Sequence, residues 1–379
     1  MLVNIINTAP ILLEKKLLDP KSIVNGDLEI YDISSKNRNI KVIQKNGVSL
    51  LVKQPLETTA YFSEHIKNEA RFYSLIKTDP TFSSLRDILP NVLDFDKKNN
   101  ILVTQFIDDA KSLDRISSKL LKGQISQQAA IMGKLISKIH HSFYGLTENP
   151  KLSFLPKTFP QTTVHIMRPG PSIFVELSPG SMSLLKFIQE NPDLANLLEN
   201  LDKDWKVQTL IHGDMKKNNV LVYREKNNHG KNHTQNKPAM KIIDWEYISL
   251  GDPAWDIGAI FHDFLIYSLY YLPDNIKLDS PRLDAYTERL MKKLRMESRT
   301  FWYFYLKNVN LSKMEEEELL KRSLKYCIAH LVQSAFNSLD NSSTLSNKAI
   351  YITQFSIHIL KNMDDIVSAL LKKRISKKQ

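Results

Sequence analysis

The stretch "LIHGDMKKNNVLV" at residues 210–222 places His212, Gly213, Asp214 and two asparagines between two runs of aliphatic residues. A polar turn between strands needs glycine or asparagine, but it has no need of a carboxylate before the amides. This order of residues predicts a loop that holds a charged group.

The next apolar run ends in a second acidic motif, "KIIDWE" at residues 241–246. The runs at 219–223 and 240–244 are typical of two strands joined by a tip at 225–239, which predicts an antiparallel hairpin. The start of the first strand then adjoins the end of the second, so Asn219 and Asp244 should be neighbours. Their oxygens suit Mg²⁺, which is commonly shared with phosphates. We therefore predict Asn219 and Asp244 as metal ligands and Asp214 as the base for an attacking hydroxyl.

A lysine and a glutamate nearer the amino terminus form a second candidate pair. Lys53 ends the apolar run "SLLVK", and Glu69 lies on the apolar edge of a helix predicted at 63–77. A half-buried carboxylate needs a partner, and a strand lysine paired with a helix glutamate positions nucleotide phosphates in kinases. The alternative is two unrelated surface residues.

Three motifs carry a resemblance to a known family: "HGDMKKNN", "IIDWE" and "GDPAWD", in this order. They resemble the signature of the aminoglycoside phosphotransferase and choline kinase superfamily, the small-molecule branch of the protein-kinase-like fold. The resemblance covers about residues 28–270. It implies ATP and Mg²⁺ as cofactors and transfer of the γ-phosphate to a hydroxyl-bearing acceptor.

The resemblance also implies roles for individual residues. Asp214 corresponds to the catalytic base, and His212 orients the catalytic loop. Asn219 and Asp244 correspond to the Mg²⁺ ligands. The resemblance implies that the nucleotide contacts three places: a phosphate clamp, the loop after the first strand, and the backbone at 105–108, which meets the adenine. The residues are Lys53 and Glu69 in the clamp, Ser34 and Ser35 in the loop, and Gln105 and Ile107 at the adenine.

The loop "DISSKNRNIKV" at residues 32–42 has no glycine-rich run, in contrast to many kinases. Lys216 stands two positions after Asp214 and is either a partner of the moving phosphoryl group or a solvated lysine. The resemblance implies that Asp252 and Asp256 of "GDPAWD" brace the loop after Asp244 or face the substrate. For Asp252, a helix N-cap is an equal alternative.

The order of predicted elements indicates a two-lobed α+β protein. Strands are predicted within 28–53, followed by the helix at 63–77 and a hairpin from "PNVLDFD" and "NILVTQFI". Helices dominate from about residue 108, interrupted by a surface excursion at 146–182 and followed by a helix at 182–201. We therefore predict a small β-rich N-lobe at 1–107 and a larger, mainly helical C-lobe at 108–379.

Composition limits the class of protein. The chain has 379 residues, a net charge of +11 and one cysteine, Cys327, in a run typical of a buried helix. The positive charge is compatible with an anionic ligand, nucleic acid or an acidic membrane surface. The basic residues are scattered and no apolar run is long enough to span a bilayer. We expect a cytoplasmic protein without nucleic-acid or membrane partners, and its oligomeric state stays open.

The acceptor is the least determined feature. A small molecule is the first hypothesis. A Ser/Thr peptide kinase of peptide natural-product biosynthesis is the second, because the loop at 34–42 and the stretch at 165–180 look similar to such enzymes. A catalytically inactive nucleotide-binding scaffold is the third, although binding alone would not need Asp214. His229 and His233 of the hairpin tip lie among asparagines and glycine, which disfavours a helical metal site.

Overall fold

The computed structural model describes residues 1–35, 37–57, 59–116, 125–160, 177–224, 238–273 and 276–372. The chain forms two compact units, one built from 1–116 with 218–248 and the other from 117–217 with 249–379. This division differs from the predicted boundary after residue 107. The reason is long-range strand pairing, since Lys111 pairs with Val222 and the hairpin joins the first unit.

The strands and helices alternate with short 3₁₀ turns along the chain. The strands are β1 (Leu28–Asp32), β2 (Asn37–Gln44), β3 (Leu50–Pro55), β4 (Val92–Asp96), β5 (Ile101–Gln105), β6 (Lys111–Ser112), β7 (Thr209–Ile211), β8 (Val220–Arg224), β9 (Pro238–Ile242) and β10 (Ser249–Gly251). The helices are α1 (Ile5–Glu14), α2 (Pro20–Val24), α3 (Ala60–Thr78), α4 (Ile125–Phe143), α5 (Pro179–Gln189), α6 (Pro192–Glu199), α7 (Pro253–Tyr270), α8 (Pro281–Tyr305), α9 (Lys313–Asn337), α10 (Asn347–Lys361) and α11 (Met363–Leu371).

The first unit contains an antiparallel sheet in the order β1-β2-β3-β5-β4. Residues on one face of β2 are buried in alternation, as expected for a strand with one face on a core. Helix α3 begins after Thr59, whose hydroxyl accepts the N–H of Phe62 and so caps the helix. The predicted strands, the helix at 63–77 and the β4–β5 hairpin are all present.

The amino-terminal residues form a helix that the sequence reading did not include. Asn4 caps α1 in a reciprocal capping box with Asn7. Ile11 and Leu12 of α1 join Val42 and Val52 of the sheet in one buried cluster. The apolar start of the chain is therefore part of the core of the first unit.

The second unit is mainly helical and is organised around α7. This helix is buried over most of its length and packs against α8 and α9. A Cβ at Gly258 of α7 would lie 2.7 Å from the carbonyl oxygen of Ser323 in α9. Only glycine allows the two backbones to approach so closely, so this residue fixes the spacing of the two helices.

Two sequence expectations in the second unit require correction. The predicted excursion at 146–182 ends earlier, because α5 begins at Pro179 behind an N-cap serine, Ser178. The predicted helix at 182–201 is two helices, because Pro192 starts α6 and Asn191 caps it. The hairpin tip with His229 and His233, and most of the 165–180 stretch, lie outside the described residues.

Other expectations concern single residues and segments. Cys327 is buried, as predicted for a helix core. Among the helices in the described ranges, none combines the length and the apolar character that crossing a bilayer would require.

Glu297 on α8 is an unusual buried carboxyl group. Its side chain is 1% exposed, and its Oε1 has no hydrogen-bond partner among the described residues. Burial raises the pKa of Glu297 from 4.5 to about 7, although Lys293 and Lys217 act in the opposite direction. A raised pKa in the folded state means that this group contributes stability below pH 4.5, which is lost as the pH rises through 7.

The Glu297→Gln variant removes this titration, so its stability relative to the wild type should rise by about 2–3 kcal/mol between pH 5 and pH 8. Denaturant unfolding at both pH values measures the difference. Glu288→Gln, an exposed position on the same helix, is the control and should show no such change. An equal effect of Glu297→Gln at both pH values would contradict the buried titration.

Candidate functional site

The β8–β9 hairpin brings two predicted site residues together. The strands pair antiparallel with Val220 opposite Ile242, and the N–H of Ile243 donates to the carbonyl oxygen of Asn219 at 2.9 Å. Asn219 and Asp244 therefore flank the same end of the hairpin, as the sequence predicts. Asp244 has a φ of 65°, a left-handed conformation that is uncommon for residues other than glycine and often marks a functional position.

Lys53 and Glu69 form the predicted ion pair. The Lys53 Nζ lies 3.0 Å from Glu69 Oε2, and both side chains are buried. Glu69 also accepts hydrogen bonds from Tyr73 Oη at 3.0 Å and from the N–H of Trp245 at 3.3 Å. These contacts fix the carboxylate and exclude the alternative of two unrelated surface residues.

Lys53 holds two further carboxylates. Its Nζ lies 2.5 Å from Asp244 Oδ1 and 3.2 Å from Glu246 Oε2. Burial lowers the pKa of Lys53, but the carboxylates of Glu69, Asp244 and Glu246 outweigh burial and hold this pKa above its ordinary value. Lys53 is therefore a permanent cation among three acidic groups.

The chemistry of this donor set fits a hard divalent cation. Three carboxylates against one ammonium leave an excess of negative charge, and the Asp244 side chain is 35% exposed and so open to a ligand. Within the described ranges, three or more His, Cys, Asp or Glu residues are nowhere arranged as a metal site. Mg²⁺ needs no such cluster, because it is usually held by one or two protein oxygens together with substrate phosphates.

Glu246 is a site residue that the sequence reading missed. Its Oε2 accepts a hydrogen bond from Asn37 Nδ2 at the start of β2, besides contacting Lys53. The "DWE" motif was the signal that could have identified it, since Glu246 follows Asp244 by two positions.

The residues predicted on the nucleotide side lie in two short connections of the first unit. Ser34 Oγ accepts the N–H of Asn39 at 3.1 Å, and Ser35 donates its N–H to the carbonyl of Asn37 at 3.0 Å. These bonds close the β1–β2 loop without glycine. Gln105 ends β5, and the Ile107 carbonyl accepts the N–H of Ala110 in a turn.

The loop that carries Asp214 belongs to the second unit, and it is held by its backbone. Asp256 accepts the N–H of His212 at 2.8 Å and the N–H of Gly213 at 3.0 Å. Trp255 Nε1 donates to the Gly213 carbonyl at 3.0 Å, and Gly213 has a φ of 85°. Asp256 is fully buried, so two charge-assisted hydrogen bonds fix the peptide units directly before Asp214.

The side chains of this loop interact with one another. The N–H of Asp214 donates to Nδ1 of His212 at 3.3 Å, so the imidazole contacts the backbone of the loop. Lys216 Nζ lies 2.6 Å from Asp214 Oδ2, and each of these two side chains is about one-third exposed. Lys216 is thus a partner of Asp214 and not merely a solvated lysine.

Two buried groups support the loop from behind. His140 Nε2 lies 3.3 Å from Asp256 Oδ2, and His140 Nδ1 lies 3.0 Å from the Tyr305 hydroxyl. Burial raises the pKa of Asp256, but its contacts with His140 and His212 hold the pKa below its ordinary value. This chain of hydrogen bonds links α8 to the Asp214 loop, and sequence reasoning did not identify it.

Asp252 makes different contacts from Asp256. It caps α7 by accepting the N–H of Ala254 at 2.9 Å, and it pairs with Arg322 at 2.7 Å. The helix N-cap alternative is therefore correct for Asp252, whereas Asp256 holds the loop before Asp214 and not the loop after Asp244 that the resemblance implied.

Comparisons with known proteins agree with this geometry. A family model described as "Phosphotransferase enzyme family" matches residues 29–296. A choline/ethanolamine kinase family protein from Mesorhizobium loti is similar in structure, with a TM-score of 0.51 and 15% identity over 98% of this chain and 100% of that chain. The gentamicin complex of APH(2'')-IIa gives a TM-score of 0.50 and 14% identity over 99% of this chain and 98% of that chain.

A choline kinase from Streptococcus pneumoniae also aligns, with a TM-score of 0.46 and 15% identity over 92% of this chain and 99% of that chain. The search of curated proteins gives no match. The structural likenesses concern the fold and confirm the α+β, protein-kinase-like organisation. The family match covers more than half of the chain. The protein therefore belongs to the phosphotransferase enzyme family.

Proposed function

We propose that the protein is an ATP- and Mg²⁺-dependent kinase that moves the γ-phosphate to a hydroxyl of a small molecule. The observation that carries this proposal is the contact of Lys53 with Glu69 and Asp244 at 3.0 and 2.5 Å. A buried lysine fixed by a helix glutamate beside an acidic motif is the arrangement that kinases use for nucleotide phosphates. The family membership supports the phosphotransferase class.

Lys53 binds the phosphates in this mechanism. Its raised pKa keeps the ammonium charged, and Glu69 prevents the side chain from turning away from the strand. Asn219 and Asp244 are the residues that would hold Mg²⁺, and the ion would offset the negative charge of the phosphates. Ser34, Ser35, Gln105 and Ile107 are proposed to contact the nucleotide.

Asp214 acts on the acceptor. Its carboxylate orients the hydroxyl and accepts its proton as the oxygen attacks the γ-phosphorus, while the bond to the β-phosphate oxygen breaks. The Lys216 ammonium, 2.6 Å from Asp214, supplies positive charge close to the base. His212 and Asp256 keep the loop in place, so no reorganisation of its backbone is needed during the reaction.

Nucleotide binding tests the proposal directly. Millimolar ATP with Mg²⁺ should raise the melting temperature, because a ligand of the native state stabilises it. Lys53→Met removes the cation but keeps the length of the side chain, so it should remove most of this rise. Lys45→Met, at an exposed position in the turn after β2, is the control and should respond like the wild type.

Magnesium dependence is measured in the same assay by omitting the ion or adding a chelator. The rise with ATP should shrink without Mg²⁺, because Asn219 and Asp244 then lack the ion that joins them to the phosphates. The absence of any response of the wild-type protein to ATP would refute the kinase proposal.

A further inference from the structure

A pocket of about 240 Å³ lies in the second unit, between the end of α8 and the start of α9. Its floor is formed by two buried residues, Tyr305 and Arg322, and its apolar wall by Val309, Leu311 and Leu319. Pockets for drug-sized ligands measure about 300–1,000 Å³. The α8–α9 pocket is therefore of a size for a small metabolite, and it contains none of the residues proposed to contact ATP, Mg²⁺ or the acceptor.

Arg322 gives this pocket a donor that no described residue engages. The side chain is 7% exposed, and its Nε and Nη2 bond to Asp252 at 2.7 and 3.3 Å. Nη2 also reaches Gln208 Oε1 at 3.5 Å, whereas Nη1 makes no hydrogen bond to any described residue. A guanidinium N–H fork that faces a pocket is suited to a carboxylate oxygen.

The rim of the pocket carries two carboxylates. Glu315 and Glu318 line the pocket and are exposed, and Glu318 accepts a hydrogen bond from Lys206 at 2.9 Å. The Tyr144 hydroxyl accepts from Gln208 Nε2 at 3.4 Å, which leaves its own proton available to a ligand oxygen. Lys206 also lines the pocket, and Arg322 is paired with Asp252, so the pocket offers donors and acceptors rather than one net charge. The Nη1 donor of Arg322, the carboxylates of the rim and the apolar wall together complement a zwitterion with an apolar body.

The pocket touches the supports of the catalytic loop at two points. Tyr305 on its floor bonds to His140, which bonds to Asp256, whose carboxylate holds the loop. Pro253, on another wall, is the first residue of α7, three positions before Asp256. A ligand in contact with Tyr305 and Pro253 can therefore shift the groups that fix the backbone before Asp214.

We propose that the α8–α9 pocket binds a small zwitterionic molecule of the free amino acid type with an apolar side chain, and that binding alters turnover through Tyr305, His140 and Asp256. The ligand carboxylate meets Arg322 Nη1, and its ammonium group meets Glu315 or Glu318. The effect on turnover rests on the proposed kinase function, whereas binding does not.

Thermal unfolding with L-valine, L-leucine or L-phenylalanine at millimolar concentration tests the binding. The best of the three should raise the melting temperature by about 1–3 °C. The leucine analogues 4-methylpentanoate, which lacks the ammonium group, and 3-methylbutylamine, which lacks the carboxylate, should each give less than half of the leucine effect.

Val309→Trp fills the pocket from a partly exposed wall position and should abolish the rise, whereas Asn310→Trp, at the adjacent exposed position, should retain it. No rise with any of the three amino acids, or an equal rise in both variants, overturns the proposal. A retained rise with Asn310→Trp alone supports it even if the protein shows no kinase activity.

The effect of the bound amino acid on turnover is measured as the rate of ATP hydrolysis with and without the amino acid that gives the largest rise in melting temperature. We expect a change of about twofold or more in the wild type and none in Val309→Trp. Tyr305→Phe removes the hydroxyl that bonds to His140 and should still show the rise in melting temperature but not the change in rate. Binding without any effect on the wild-type rate would refute the link to the catalytic loop and leave a simple binding site.

Discussion

The Asp214→Asn variant should transfer phosphate at least ~100-fold more slowly than the wild type, because general-base contributions are typically ~10²–10⁴-fold. The substitution keeps the size and shape of the side chain and removes its charge. A base acts mainly in the transition state, so kcat should fall while nucleotide affinity is nearly unchanged. Labelled-phosphate transfer from ATP to small alcohols, amino sugars and Ser/Thr peptides measures the effect and also searches for the acceptor.

Lys216 complicates the interpretation of this variant and provides its control. Its ammonium contacts Asp214 at 2.6 Å, so Asp214→Asn leaves an unpaired lysine in the loop. Lys216→Met with intact Asp214 separates the two effects, and it should lower turnover less than Asp214→Asn does. Transfer by Asp214→Asn at the wild-type rate would show that Asp214 is not the base.

The Asp256→Asn variant should lose about 2–4 kcal/mol of stability, together with most of its turnover. Both carboxylate oxygens of Asp256 accept hydrogen bonds: Oδ2 from His212 at 2.8 Å, and Oδ1 from Gly213 at 3.0 Å. Asparagine replaces one of these acceptors with an NH₂ group that faces a backbone donor in a site without solvent. Denaturant unfolding and the rate of ATP hydrolysis measure the two losses.

Asp193→Asn is the matched control for Asp256→Asn. Asp193 also lies in the first turn of a helix, α6, but its side chain is exposed. The same chemical change there should alter stability by no more than about 0.5 kcal/mol. Wild-type stability and turnover in Asp256→Asn would mean that the loop keeps its conformation without this carboxylate.

The local elements of the fold were predictable where side-chain pattern and turn chemistry agree. Short runs rich in aliphatic residues between turn residues located β2 and β3, and the apolar face with Ile66 and Tyr73 located α3. The discontinuity of the first unit was not predictable, because it depends on the pairing of β6 with β8, between residues far apart in the chain. No local pattern contains this information. The break at Pro192, by contrast, was visible in the sequence as a proline after an asparagine.

In the candidate site, too, contacts within a hairpin were predictable from the sequence, whereas contacts that depend on long-range packing were not. Asn219 and Asp244 could be placed together because a hairpin obliges its strand ends to meet. The Glu246 contact with Lys53 needs the exact course of the chain after β9, and the bonds of Asp256 to the loop need the packing of α7 behind it. The hydrogen bond between His140 and Tyr305 depends on how α4 and α8 pack against each other. The spacing of apolar residues along a helix does not determine this packing.

The discontinuous first unit has a consequence for biosynthesis. Residues 1–116 leave the ribosome before 218–248, which complete the same compact unit. At about 5–20 residues per second, the intervening segment delays completion by roughly 5–20 s. During this interval the nascent chain contains Lys53 and Glu69 but lacks Asp244, and β6 has no β8 to pair with. The first unit therefore passes through an interval in which the strand edge that β8 later covers is unpaired and exposed to pairing with other chains.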